Sequence, residues 1–308
     1  MKRLIIFDLD GTLLNTIADL AQSTNYALKE AGFPTHPVEE YKFMVGNGIN
    51  KLFERALPEG EKTEANIQLI RKLFVPFYDS HNTDLSTPYP GITELLNELH
   101  QQGRVLAVAS NKYQSATEKL VSYFFPNIPF VAVLGQREGV NVKPDPAIVY
   151  DIVKQAGISQ EETLYVGDSG VDMQTAHNSG VEACGVTWGF RPRTELEQFT
   201  PKHIVDVPQE IIILSNLKAA TSYSKRNTRE GLFQKHNKNP LENIVLNEDD
   251  WFVYPAKVGD LLTFVFFHKD FMAHGLTLAN LFELAKESEY IGKKPDMIYL
   301  FGYPDGEN

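Results

Sequence analysis

Residues Ile5-Ile6-Phe7-Asp8-Leu9-Asp10-Gly11-Thr12 set an apolar run directly against two carboxylates, a glycine and a threonine. The run reads as a buried strand that ends where the charges begin. Alternation along an extended backbone puts Asp8 and Asp10 on one side, with Leu9 pointing away. Like charges gathered at a buried strand tip are costly unless a cation or a reaction uses them. Gly11 lets the chain turn and bring backbone N–H groups close to an anion. A fold that contains this strand must bury its body and open its end.

The rest of the chain shows how. From Thr16 the apolar residues Ile17, Leu20, Ala21, Ala27 and Leu28 fall on one helical stripe, with Gly32 as the stop. Further helical stretches at 37–57 and 64–79 make residues 15–87 an all-helical insertion, closed by Thr87-Pro88-Tyr89-Pro90-Gly91. After it the pattern alternates. Helices are expected at 92–102, 114–123, 145–156 and 172–179. Strands are expected at 104–109, 130–134, 163–166 and 183–187. Such alternation predicts an α/β fold, a doubly wound parallel sheet covered on both faces. Ligands bind such sheets at the carboxyl ends of the strands, and Ser110-Asn111 and Gly167-Asp168-Ser169 fall at those ends.

Composition bounds the partners. A chain of 308 residues, 43% hydrophobic, can bury a sizeable core and divides into more than one domain. A net charge of -11 argues against nucleic acid or an anionic membrane as partner. Cys184 is the one cysteine, which excludes an intrachain disulfide and fits a reducing compartment. Its apolar surroundings read as those of a buried structural thiol. The apolar run after Lys2 and Arg3 is too short for a signal peptide, and no stretch approaches the ~18 apolar residues of a membrane span. The expectation is a soluble, cytoplasmic protein.

Residues 218–229, KAATSYSKRNTR, are polar and basic and read as a linker. Beyond it, 230–308 is expected to be a small α/β segment, with a strand at 261–267, a helix at 276–286 and a strand at 297–301. So small a unit cannot cover its own strands. Docking on the first domain, pairing with a second copy as a homo-oligomer, and membership of a longer module all stay open. Its expected role is docking, oligomerisation or regulation. His268, Asp270 and His274 match no standard zinc spacing.

Four strand-end features converge if the sheet is doubly wound: Asp8/Asp10/Thr12, Ser110/Asn111, Lys143 and Asp168/Asp172. Each has a task if the substrate is a phosphate ester. Asp8 is placed to attack phosphorus as a carboxylate nucleophile, and Asp10 to protonate the leaving oxygen and later deprotonate water. Asp8 and Asp168 can hold Mg²⁺, which prefers oxygen ligands. Thr12, Ser110 and Asn111 can donate to the phosphoryl oxygens, and Lys143 supplies a positive charge. Alone, each feature has an ordinary alternative such as a helix cap, a surface lysine or a turn. Their conjunction carries the reading.

In that order, DLDGT at 8–12, SN at 110–111, Lys143 in VKPDP and GDSGVD at 167–172 resemble the four motifs of the haloacid dehalogenase superfamily of phosphotransferases. The resemblance covers 1–217. It implies a core of 1–14 and 88–217 and an α-helical cap at 15–87. It also implies an aspartyl-phosphate intermediate, metal ligation by Asp8, Asp10 and Asp168, and an outer metal role for Asp172. Gly11, Thr12, Ser110, Asn111 and Lys143 would bind phosphate. Asp10 argues for phosphorus rather than carbon–halogen chemistry, and Thr12 tilts toward hydrolysis rather than mutase chemistry. Many relatives have Asp-Ser where this chain has Asn15-Thr16, a difference placed in the cap hinge.

Val45-Gly46-Asn47-Gly48 and Gly185-Val186-Thr187-Trp188-Gly189 are similar to bacterial phosphoglycolate phosphatases of that superfamily. The implied substrate is a small phosphorylated metabolite, with the cap supplying specificity. Gly46, Asn47 and Lys51 are the candidates to meet the leaving group, with Lys42, Arg55 and Arg191 as further cations. Other readings are a pyrophosphatase, a nucleotidase or a sugar-phosphate phosphomutase of the same superfamily. A reading of another class is a regulatory or binding protein on a phosphatase scaffold, and the completeness of the four motifs argues against it.

Overall fold

The computed structural model describes residues 1–216 and, beyond them, the backbone of 251–258 and 261–268. Strand β1 (Leu4–Phe7) is buried at every position, as a continuous apolar run covered on both faces must be. The chain leaves through β2 (Leu14–Asn15) into helices α1 (Ile17–Glu30), α2 (Tyr41–Met44), α3 (Ile49–Ala56) and α4 (Glu64–His81). It returns through β3 (Thr87–Pro88), which pairs antiparallel with β2. Then follow α5 (Ile92–Gln101), β4 (Val105–Tyr113), α6 (Gln114–Phe124), β5 (Phe130–Gln136) and α7 (Ala147–Ala156). The sequence continues with β6 (Thr163–Gly167), α8 (Gly170–Ser179), β7 (Glu182–Val186), α9 (Arg193–Glu197), β8 (His203–Val205) and α10 (Gln209–Asn216).

Six strands form one sheet in the order β5-β4-β1-β6-β7-β8, with parallel pairing throughout. From β1 the chain builds outward to one side through β4 and β5, then to the other through β6, β7 and β8. That reversal opens a crevice at the carboxyl end of β1. Phe7 stands opposite Val108 of β4 and Val166 of β6. Asp8, Ser110 and Asp168 therefore emerge along one edge.

The helical insertion has its own apolar centre. In α3 the buried residues Ile49, Leu52, Phe53 and Ala56 repeat at helical spacing. Phe53 packs edge-on against Phe74, and Phe74 stacks on Tyr78, each at 5.0 Å between ring centres. Each such ring contributes on the order of 1.5–3 kcal/mol by leaving water. Ala116 and Phe190 of the sheet domain join this cluster, so the insertion packs against the sheet's open end. Buried Asp19 in α1 accepts hydrogen bonds from Leu85 N (3.0 Å), Ser86 N (2.8 Å) and Ser86 Oγ (2.6 Å), fastening α1 to the returning strand.

Several expected boundaries move. The stretch 37–57 divides into a 3₁₀ turn (Val38–Glu40), α2 and α3, because Gly46 and Gly48 take positive φ between the helices. Strand β4 runs on to Tyr113, so Ser110 and Asn111 sit within its end rather than beyond it. Helices α9 and α10 and strand β8 arise where the sequence signalled no element.

A second unit follows the first along the chain. The strand expected at 261–267 is β10 (Leu261–His268), and it pairs antiparallel with β9 (Trp251–Val258), whose Pro255 hid it from a strand reading. The expected helix at 276–286, the strand at 297–301 and the residues Asp270 and His274 lie outside the described residues. No helix among the described residues is long and apolar enough to cross a membrane.

Candidate active site

Asp8 leaves β1 with its N–H donating to Val166 O at 2.9 Å, which fixes its carboxylate at the sheet edge. Lys143 reaches it from the loop before α7. Its ammonium, with three protons, lies within hydrogen-bond reach of Asp8 Oδ1 (2.9 Å), Asp172 Oδ1 (2.7 Å), Ala109 O (3.0 Å) and Tyr165 Oη (3.0 Å). This cation is buried. Burial works against its charge, but Asp172 and Asp8 outweigh that and hold its pKa well above the usual lysine value. Asp8 moves up as well. Burial is the main cause and Asp172 the next, opposed by Lys143.

Asp168 follows β6, and its Oδ2 accepts from Phe190 N at 2.7 Å. Burial, then the charge of Asp172, pushes its pKa up to about 7. Asp172 stands in the first turn of α8, where it forms a capping box with Ser169. Ser169 Oγ donates to Asp172 Oδ2 at 2.6 Å, while Lys143 and Tyr165 occupy Oδ1. The helix-cap alternative and the charge-network reading are therefore both true of Asp172.

Asp10 takes a different environment. Thr16 Oγ1 donates to its Oδ1 at 2.6 Å, and Lys112 Nζ lies 3.2 Å from its Oδ2. Thr12 is buried, with its hydroxyl 3.5 Å from Asp168 Oδ1. Ser110 is buried too, its Oγ accepting from Lys112 N at 3.2 Å.

Two expectations need correction. Gly11 N donates to Leu14 O at 2.8 Å, so this N–H is spent inside the turn. What Gly11 supplies is room, since a Cβ there would lie 2.3 Å from Asp168 Oδ2. The side-chain amide of Asn111 likewise has no proton to spare. Its Nδ2 donates to Gly46 O and Lys143 O, each at 3.0 Å, and its Oδ1 accepts from Lys143 N at 2.8 Å. It ties the lysine's backbone to the insertion.

A cleft of about 370 Å³ lies over the carboxylates, lined by Asp8, Asp10 and Asp168, by Lys42 and Val45–Asn47 of the insertion, and by Arg191. Gly46 and Asn47 thus meet the cleft. Lys51 does not: it is exposed and paired with Glu54 at 2.6 Å. Arg55 braces the loop from behind, donating to Met44 O and Asn47 Oδ1 at 2.8 Å each. Arg191 reaches across from the sheet domain to Lys42 O and to Val45 O. Sequence reasoning missed Lys112 and Tyr165. Nothing in their residue type marked them, because buried lysines and strand tyrosines are recognised by what they touch.

The donor set can be tested for a metal. One oxygen each from Asp8, Asp168 and Asp172 lies within 4.8 Å of the others, all buried. An oxygen-only set dense in negative charge fits a hard divalent cation. Asp172 is already satisfied by Lys143, Tyr165 and Ser169, which leaves Asp8 and Asp168 as the pair that could hold such an ion.

A carboxylate–lysine cluster at the switch point of a doubly wound parallel sheet is an arrangement that suits phosphoryl transfer. Residues 5–186 match the family model described as haloacid dehalogenase-like hydrolase. The chain is 35% identical over 210 residues to phosphoglycolate phosphatase of Agrobacterium fabrum (67% of this chain, 89% of that one). It is 33% identical over 210 residues to the Haemophilus influenzae enzyme of the same name (66% and 94%). A solved structure, a predicted phosphoglycolate phosphatase from Haemophilus somnus, superposes with a TM-score of 0.64 at 31% identity, covering 70% of this chain and 98% of that one. The chain belongs to the haloacid dehalogenase-like hydrolases and is a phosphoric monoester hydrolase.

Proposed function

We propose that this chain is a Mg²⁺-dependent phosphatase of small phosphomonoesters, of the phosphoglycolate type, working through an aspartyl-phosphate. The observation that carries this is Asp8, buried at the switch point with Lys143 at 2.9 Å and facing a cleft shared with Asp10 and Asp168. Asp8 attacks phosphorus as the bond to the leaving oxygen breaks, and Asp10 gives that oxygen its proton. Water then displaces phosphate from Asp8, with Asp10 taking the water's proton. Lys143, Thr12 and Ser110 stabilise the phosphoryl oxygens, while Gly11 and Asn111 shape that cradle. Mg²⁺, held by Asp8, Asp168 and the Asp10 carbonyl with Asp172 behind them, would screen the repulsion between anionic nucleophile and anionic substrate.

The helical insertion serves as the cap over a core of 1–14 and 88–217. A glycolate leaving group carries a carboxylate, and the cleft offers Lys42, Asn47 and Arg191 to meet it. The relatives' names support the same substrate. The single buried cysteine fits action in the cytoplasm.

Asp8→Asn is expected to abolish turnover while the melting temperature stays near wild type. An active variant would sink the mechanism. A panel of 2-phosphoglycolate, pyrophosphate, nucleoside monophosphates and hexose phosphates should give its highest kcat/KM with 2-phosphoglycolate. Phosphate retained on a second hydroxyl would mark a mutase instead.

A further inference from the structure

Lys112 is a lysine with 5% of its surface exposed, projecting from the end of β4. Desolvating an ammonium is expensive, and a fold keeps one only with dedicated partners. Its partners come from both sides of the cleft. On the sheet side Nζ lies 3.2 Å from Asp10 Oδ2. On the insertion side it donates to Tyr78 Oη of α4 at 2.8 Å and stands 4.7 Å from that ring's centre, a cation–π contact.

The neighbours of Lys112 also grip the insertion. Asn111 Nδ2 donates to Gly46 O at 3.0 Å. Tyr113 Oη donates to Asp79 Oδ1 at 2.6 Å. Three successive residues after Ser110 therefore hold the insertion, and the middle one alone also holds Asp10. Without Lys112, Asp10 would keep the Thr16 hydroxyl on one oxygen and lose the fixed partner on the other.

We propose that Lys112 is a positioning residue for proton transfer, orienting the Asp10 carboxylate toward the leaving oxygen when Tyr78 of the helical insertion is seated against it. The proposal rests on the reading of Asp10 as the proton donor. Lys112 is not among the residues that line the cleft. It acts through Asp10.

Leaving-group dependence separates this role from a structural one. An alkyl phosphate needs its departing oxygen protonated, whereas p-nitrophenolate leaves without help. The value of kcat/KM reports the steps through departure of the leaving group. The experiment therefore measures kcat/KM of the full chain for 2-phosphoglycolate, glycerol 2-phosphate and p-nitrophenyl phosphate. The variants are Lys112→Met, Tyr78→Phe and Asp10→Asn.

For Lys112→Met the expected fall is about 10–100-fold with both alkyl esters, part of the 10²–10⁴ that general acid catalysis contributes. With p-nitrophenyl phosphate the fall should stay below about 3-fold, since that ester draws little on the acid. Tyr78→Phe keeps the ring and removes the hydroxyl, so it should show the same bias more weakly; it carries the test if Lys112→Met does not fold. Equal losses on all three substrates, with Asp10→Asn still biased against the alkyl esters, would overturn the proposal and leave Lys112 a structural anchor. An unbiased Asp10→Asn would instead overturn the proton-donor reading, and the proposal with it. Glycerol 2-phosphate, which lacks a carboxylate, keeps the result independent of glycolate as the leaving group.

Discussion

Replacing Gly189 by alanine would put a methyl group into occupied space, and what it meets is the Asp168 side chain itself and the backbone of Gly11. The added Cβ would lie 2.2 Å from Asp168 Cβ, 2.4 Å from Gly11 O and 2.5 Å from Asp168 Oδ2. Gly189 is not among the positive-φ glycines, so the strain is one of space alone. Carbon–carbon contacts settle at about 3.5–4.0 Å, so something must move by more than about 1 Å. Leu164, Tyr165 and Val166 of β6 are fully buried, so the Asp168 side chain and the loop bearing Phe190 are what can give. The hydrogen bond from Phe190 N to Asp168 Oδ2, now 2.7 Å, goes with them. Overpacking of this kind costs about 1–3 kcal/mol, read as a melting temperature lower by about 2–4 °C per kcal/mol. A catalytic group misplaced by about 1 Å costs on the order of 10²-fold in rate. The assay is a Mg²⁺ titration of turnover beside thermal melts with and without Mg²⁺. The variant should fold, lose about 10²-fold in kcat, and need more Mg²⁺ to reach half its activity. Gly185→Ala is the comparison, because its Cβ would meet the tip of Leu196 at 3.2 Å, a contact a side chain can relieve. A Gly189→Ala enzyme with wild-type kcat and Mg²⁺ midpoint would refute this account of how Asp168 is held.

Lys143→Met nearly conserves volume but strands Asp8 and Asp172 without their shared cation. Breaking such a buried pair should cost about 3–5 kcal/mol in denaturant melts and about 10²–10³-fold or more in turnover; wild-type stability would contradict it. Glu182 probes the opposite end of the sheet, where Lys202 at 2.6 Å, His203 at 2.9 Å and Lys2 at 3.2 Å surround it. Burial opposes its charge, but the hydrogen bonds from His203 and Lys202 win and hold its carboxyl well below the usual range. A depressed acid adds stability above its unfolded pKa of about 4.3, and this is lost as pH falls through the lower folded value. Glu182→Gln should therefore be less stable than wild type at pH 7 by about 1–2 kcal/mol, with the gap closing as melts are run at progressively more acidic pH. A gap of constant size across that range would contradict the linkage.

The sheet was legible because its signals are local. Leu4–Phe7 is apolar at every position and ends at a charge, β4 ends through Ser110-Asn111 and β6 at Gly167-Asp168, whereas the three residues of β8 carry no such mark. The four motifs were legible for a related reason, since strand ends in a doubly wound sheet converge whatever loops intervene. What the sequence concealed depends on contacts between distant residues. Asn111 and Gly11 offered donors on paper, and the fold spends them on Gly46, Lys143 and Leu14. Lys112 follows Ser110-Asn111 directly, yet only the arrival of Tyr78 from α4 turns an ordinary lysine into a buried one. Lys51 misled for the converse reason: helical phase alone sets it on the solvent side of α3, facing Glu54. Strand β9 was hidden by Pro255, although Gly259-Asp260 between two apolar runs is a hairpin signal.

Four aspartates of one residue type acquire separate tasks here through their neighbours. Asp172 has both oxygens filled, by Lys143 and Tyr165 on one and Ser169 on the other, so it can balance charge but not react. Asp10 is held by a hydroxyl and an ammonium on opposite oxygens, which orients it without burying it as deeply. Asp8 gives Oδ1 to Lys143, has no hydrogen-bond partner on its other oxygen among the described residues, and lines the cleft, an arrangement that suits a nucleophile. Asp168 has a backbone N–H on Oδ2 and, among the described residues, no ion-pair partner. It is pushed up to about 7 by burial and by Asp172. Lys143, Lys112 and the nearby Arg191 against four carboxylates still leave the cluster short of positive charge, and a dianionic phosphate widens the deficit. The shortfall is concentrated at Asp168 and the open oxygen of Asp8, where a divalent cation would neutralise most charge over the shortest distance. Lys143 and Lys112 thus set, by which aspartates they satisfy, which two would be open to the metal of the proposed function.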